Sequence, residues 1–115
     1  MMWRDAAGIR RAVGGREASA VEVCRASLER IEALNPALNA FITVDAEGTL
    51  ARAADLDRRS AAAKDLPLLG VPIALKDNIC TRGLRTTAGS QLVLPTTMAP
   101  AASRRSTTVA LYGGT

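Results

Sequence analysis

Leu69-Gly-Val-Pro-Ile-Ala-Leu-Lys-Asp-Asn78 is the stretch on which the fold of this chain turns. Its middle, Val71-Pro-Ile-Ala-Leu75, has the length and apolar character of a buried strand. Pro72 has no N–H to give a neighbour, so the strand starts there or lies near a sheet edge. Lys76 then falls at the strand's end, just before a polar turn. A lysine in that position can be partly desolvated, and a desolvated lysine can act as a base.

Upstream, the periodicities predict mostly helix. Residues 2–13 read as a short helix with Trp3, Ile9 and Val13 apolar, ended by Gly14-Gly15 through tolerance of positive φ. Ser19-Ala-Val-Glu22 is a capping box, in which the serine hydroxyl takes an early N–H and the glutamate reaches back. The helix it opens, 20–34, carries Val21, Cys24, Leu28, Ile31 and Leu34 on one stripe, and Asn35-Pro36 is expected to close it. Phe41-Ile-Thr-Val44 reads as a strand. Asp45 caps a further helix over 46–62, with Leu50, Ala54, Leu56 and Ala61 inward. Its outer face is Arg52, Asp55, Asp57, Arg58 and Arg59, a solvated charged face. Residues 63–67 link it to the strand at 71–75. The order helix, helix, strand, helix, strand defines an α/β pattern. Residues 95–115 lack periodicity and are rich in Ala, Ser, Thr and Arg, so an irregular or disordered tail is expected after a domain part spanning 1–94.

Composition narrows the chemistry. The chain has 115 residues, 48% hydrophobic but only 3% aromatic, so its core must be Ala, Leu, Val and Ile. Such a core buries little area per residue and points to a piece of something larger. The net charge of +4 comes from arginines scattered among Asp and Glu, which fits a solvated surface rather than a nucleic-acid face. There is no histidine, which excludes a Ser-His-Asp triad and a His-ligated metal within this chain. Cys24 and Cys80 are far apart without metal-type spacing, and Cys24 is expected to be a buried free thiol. Residues 1–15 show no signal-peptide core and no transmembrane stretch is visible, so a reduced, cytoplasmic setting is expected.

Taken together, Glu22 to Pro36, Leu38-Asn-Ala-Phe41, Leu69 to Asn78, Gly83-Leu-Arg-Thr-Thr87 and Gly89-Ser90 resemble the N-terminal part of the amidase signature family. The resemblance runs from Ser19 to about Leu92. Within the family, the block Lys76 to Thr87 is most similar to the amidotransferase subunits that serve tRNA-dependent amide formation. The family fold implies an α/β sandwich around a mixed sheet, of which this chain would supply the N-terminal helices and first strands. The family chemistry implies a Ser-Ser-Lys triad. A serine attacks an amide carbonyl, a second serine relays its proton, and the lysine accepts it. Lys76 matches that catalytic lysine. No cofactor and no metal are implied; partner subunits of the amidotransferase are. No direct nucleic-acid contact and no membrane are expected.

The physics sets a condition on Lys76. An exposed lysine has a pKa of about 10.4 and is protonated at neutral pH. To act as a base it must be buried among hydroxyls and away from carboxylates, at a cost of roughly 4 kcal/mol for about three units. Asp77 must therefore point away, which strand alternation allows. The alternative is that Lys76 simply ends a strand in solvent. Thr86, Thr87, Gly89 and Ser90 resemble a loop beside the family site that shapes the pocket, or else form an ordinary polar turn. Cys80 has no His partner and is not expected to be a nucleophile.

The family's Gly/Ser-rich signature, with both catalytic serines, is not found in this sequence, and neither Ser103 nor Ser106 lies in a Gly-Ser-Ser-Gly-type run. After Ser90 the family's aromatic-Asp-Ala-Thr-Val-Val segment is replaced by Leu94-Pro-Thr-Thr97, as a frameshift or truncation would produce. The polypeptide alone is expected to lack amidase activity. The readings left open are part of an amidotransferase subunit, part of a generic small-molecule amidase, and a non-catalytic remnant or partner-binding protein.

Overall fold

The structure, a computed structural model, describes residues 5–59, 62–76 and 107–110, the last as a backbone strand. The elements are α1 (Ala6–Gly14), α2 (Ala20–Leu38), β1 (Phe41–Val44), α3 (Ala46–Arg58), β2 (Ile73–Lys76) and β3 (Thr107–Ala110). The α/β order expected from the sequence is present.

Asp5 starts α1, its carboxylate accepting the Gly8 N–H at 2.6 Å. The helix is therefore later than the expected 2–13, and Trp3 lies outside the described residues. Its end also differs from expectation. Gly15 keeps φ at −84°, and the left-handed residue is Arg16 at φ 59°. The turn then closes through Glu17 N–H and Ala18 N–H, both bonded to the Ala12 carbonyl. Arg10 reaches across to the Leu66 carbonyl at 3.2 Å and the Lys64 carbonyl at 3.4 Å, which pins the 62–70 turns to α1.

The capping box of α2 is present as read. Glu22 N–H donates to Ser19 Oγ at 3.0 Å, and Ser19 N–H donates to Glu22 Oε2 at 2.8 Å. The first two amides of the helix go elsewhere, to the carboxylate of Asp57 on α3. Asp57 is thus corrected from a member of the solvated outer face to a second cap of α2. The helix also does not stop at Asn35-Pro36; it runs to Leu38 and ends at Asn39, with φ 49°. Pro36 sits in the last turn, so it forfeits one ladder bond where the helix is already ending. Asn35 is held helical from outside. Its Oδ1 accepts Phe41 N–H at 2.8 Å and its Nδ2 donates to the Phe41 carbonyl at 3.1 Å.

α3 begins at Asp45, which accepts the Gly48 N–H at 3.0 Å. It ends at Arg58 rather than 62, because the chain turns over Arg59 to bury Ala63. Its buried face is Thr49, Ala53 and Leu56. Leu50 is half-buried, Ala54 is exposed, and Ala61 lies outside the described residues. Asp55 pairs with Arg52, Arg58 and Arg59 at 3.3–3.7 Å on an open surface, where such pairs contribute little.

The core lies between α2, α3, α1 and the turns before β2. It consists of Ala12, Val13, Ala18, Ala20, Val23, Cys24, Ala53, Leu56, Ala63 and Leu69. Small side chains let α2 and α3 approach closely, and the largest fully buried side chains among the described residues are Leu56, Val23 and Cys24. Gly70, at φ 72°, passes so close to Val13 that an added Cβ would lie 2.8 Å from Val13 Cγ2. The buried side of α2 is Ala20, Val23 and Cys24; the lower end of the expected stripe, Leu34, is 42% exposed.

The three strands form one mixed sheet in the order β1-β3-β2. β3 runs parallel to β1 and antiparallel to β2, with Val44, Val109 and Ala74 on one register line. β2 begins one residue after Pro72 and is an edge among the described residues, as the proline required. The expectation of an irregular tail is corrected at 107–110. Too short to stand alone, this run gains a ladder on both sides as the central strand. The rest of 95–115, and the boundary drawn at 94, lie outside the described residues. No helix among the described residues is long and apolar enough to cross a membrane.

Candidate functional site

The residue that bears the expected chemistry is Lys76, the last residue of β2. Strand alternation decides where it stands. Ile73 and Leu75 are half-buried, whereas Ala74 and Lys76 are exposed. On β1, Phe41 and Thr43 are half-buried, and Ile42 and Val44 are exposed. Since Val44 and Ala74 share a register line, the exposed residues of β1 and β2, the edge strands among the described residues, belong to one face of the sheet, with a register shift in β1 between Phe41 and Thr43. Lys76 pairs with Thr107 at the end of that face nearer Phe41. Asp77, Cys80, Thr86, Thr87, Gly89, Ser90, Ser103 and Ser106 lie outside the described residues.

The other sequence-selected groups are structural. Cys24 is a free, fully buried thiol, and burial, with the Asp57 carboxylate adding to it, pushes its pKa up to about 12. It is a packing residue, since the thiolate that would react is suppressed. The Ser19 backbone N–H, then the Ser19 side chain, hold the Glu22 carboxyl below the usual carboxylate value. No group of three or more His, Cys, Asp or Glu that could hold a metal occurs among the described residues.

Sequence reasoning missed three features around this framework. Asp57 caps α2, and Asn35 clamps Phe41 to the helix that precedes it. The third is a groove of about 320 Å³ between the second half of α2 and the sheet, lined by Ile31, Leu34, Leu38, Phe41, Pro72 and Ile73 among others. The exposed end of the α2 stripe was its one signal, as apolar helix positions that no other described element covers.

The Amidase family matches residues 22–107, past the expected end of the resemblance at about Leu92. Over 85 residues the chain is 51% identical to the A subunit of glutamyl-tRNA(Gln) amidotransferase from Azoarcus sp. (strain BH72), covering 74% of this chain and 18% of that relative. The corresponding protein of Acidothermus cellulolyticus is 50% identical over 91 residues, covering 78% of this chain and 18% of the relative. That of Geobacter sp. (strain M21) is 51% identical over 78 residues, covering 68% and 16%. No solved structure matches the chain. The match takes in α2 from Glu22 onward, β1, α3 and β2, and reaches the first residue of β3: the chain is a member of the Amidase family. It spans less than a fifth of the length of these curated relatives.

Proposed function

We propose that this chain is the base-bearing part of an amidase, of the kind represented by the A subunit of glutamyl-tRNA(Gln) amidotransferase, with Lys76 as the general base. The observation that carries this reading is the position of Lys76 inside the family match, at a strand end and on an open sheet face. Identity of about one half to these amidotransferase relatives favours that reading over a generic amidase.

In this reading the substrate is the side-chain amide of glutamine. A serine hydroxyl oxygen attacks the amide carbon, and its proton passes through a second serine to the Lys76 amine. The tetrahedral adduct collapses, the C–N bond breaks, and the proton returns from Lys76 to the departing ammonia. Water then releases the acyl group with Lys76 again taking a proton. The ammonia serves tRNA-dependent transamidation with the partner subunits, in the cytoplasm and without a cofactor. In this reading both serines are those of the family signature.

The test is a single-chain chimera in which residues 22–107 replace the matched stretch of the Azoarcus relative. Its glutaminase activity should fall by about 10²–10⁴ with Lys76→Met, the range of a lost general base. A chimera as active with Met as with Lys overturns the reading.

A further inference from the structure

The register of the sheet sets one residue directly opposite Lys76. β2 and β3 are antiparallel, and Lys76 pairs with Thr107 on the last rung of their ladder among the described residues. Residues opposite one another on such a rung have Cβ atoms about 4.5–5.5 Å apart, within interaction range. Alternation assigns Thr107 to the face of Val109, two residues on, and so to the face of Ala74 and Val44.

That face is otherwise apolar. The residues assigned to it are Ile42 and Val44 from β1, Ala74 and Lys76 from β2, and Thr107 and Val109 from β3. Besides the lysine, Thr107 alone among these six is of a polar type. Phe41 stands at the same level on β1, but the register shift beyond it leaves it in the half-buried set. The level itself is anchored to α2, because the Asn35 amide bonds the Phe41 N–H at 2.8 Å and the Phe41 carbonyl at 3.1 Å.

A lysine carries its amine on a flexible four-carbon stem, and a base works only when held within hydrogen-bond reach of the proton it takes. A hydroxyl can hold such an amine in both of its states. The oxygen accepts from the ammonium, and the O–H donates to the neutral amine. A carboxylate in the same place would keep the proton on instead.

We propose that Thr107, the cross-strand partner of Lys76, is a positioning residue for the base. This rests on the reading of Lys76 as the base; Thr107 itself takes part in no bond change. Charge competition on the sheet is absent among the described residues. β1 and β3 contain no titratable residue, Lys76 is the only one of β2, and the buried face of α3, which touches β3, is Thr49, Ala53 and Leu56.

The experiment has two arms. In the full chain with Cys80→Ser, the pair Lys76→Cys and Thr107→Cys should close a disulfide under mild oxidation, read by mass spectrometry of the peptides. The pair Lys76→Cys and Thr108→Cys, one residue out of register and on the other face, should not. The second arm uses the chimera with the Azoarcus relative, extended to Ala110 so that it carries all of β3. Thr107→Val should lower kcat about 10- to 100-fold, the scale of a misplaced catalytic group. It should also move the rise of glutaminase activity to lower pH by about one unit, since an acceptor that stabilises the ammonium is gone. Thr107→Ser, which keeps the hydroxyl, should stay near the parent on both counts. Strand propensity ranks valine above serine, so a purely structural role would spare the valine variant, damage the serine one and leave the pH profile in place.

Failure of the 76–107 disulfide, or equal closure of the two pairs, overturns the proposal whatever the base is. So does a valine variant with the parent's kcat and pH profile, and the assignment of the base then stands if Lys76→Met is inactive. An active Lys76→Met removes the base reading, and with it any base for Thr107 to position, even where the disulfide forms. A valine variant that does not fold is replaced by Thr107→Ala, read against Thr107→Ser by the same profile.

Discussion

Asp57 of α3 accepts the backbone N–H of Ala20, the first residue of α2, at 2.7 Å. Its second oxygen takes the next amide, Val21, at 3.1 Å. Ser19 Oγ takes the third, so the opening turn of α2 leaves none of its first three donors unpaired. The same two bonds fix the distance between the helices that enclose Ala20, Cys24 and Ala53. Asp57→Ala should therefore lower stability by about 1–3 kcal/mol, the range for orphaning partly buried donors. Asp57→Asn, which keeps one acceptor oxygen, should lose less. Urea unfolding of the three chains measures the order.

Gly70 combines a φ of 72° with a contact at Val13 that leaves no room for a methyl group. Gly70→Ala should cost about 2–5 kcal/mol, as left-handed strain of about 1–2 adds to overpacking of about 1–3. The two parts separate in a double-mutant cycle. Val13→Ala should recover the steric share in the Gly70→Ala background, so the two changes are expected to couple favourably in thermal melts.

The buried thiol of Cys24 gives an alkaline signature. Its pKa is raised to about 12 in the folded chain and is about 8.5 in the unfolded one. Between those values the unfolded state binds fewer protons, so stability falls as pH rises through that window. Cys24→Ala should flatten the fall. In a Cys80→Ser background, Cys24 should also resist a thiol reagent at pH 8 until denaturant is added.

Glu22 gives the opposite signature. The Ser19 N–H lowers its carboxyl in the folded chain, so its contribution is present above the ordinary carboxylate range and is lost as pH falls through the folded value. Glu22→Gln keeps a capping-box acceptor without the charge and should remove that part of the acid dependence. Melts from pH 2 to 6 read the difference.

Local chemistry was legible in this sequence where both partners lie within one turn. Ser19 and Glu22, Asp45 and Gly48, and the alternation of Phe41–Val44 each specify their geometry within four residues. Features set by distant partners were not. Asp57 looks like its neighbours Asp55 and Arg58 until α2 is laid beside it. Pro36 reads as a helix stop until Asn35 is seen bonded to Phe41. Thr107–Ala110 has no pattern of its own and becomes a strand only between β1 and β2. The candidate site shows the same division. Lys76 was marked by the block around it, whereas the shared exposure of Ile42 and Val44 depends on the register with β3.

The insertion of β3 between two earlier strands has a consequence for birth at the ribosome. β1 and β2 are both made well before Thr107, yet neither is the other's neighbour. Residues 77–106 must be translated first, roughly 2–6 s at about 5–20 residues per second. Through that interval α2 and α3 can already pack on each other, while β1 and β2 wait for the strand they share. Nascent-chain protection should therefore appear in α2 and α3 before it appears in Phe41 or Leu75. A chaperone that binds extended apolar segments has its window during that delay.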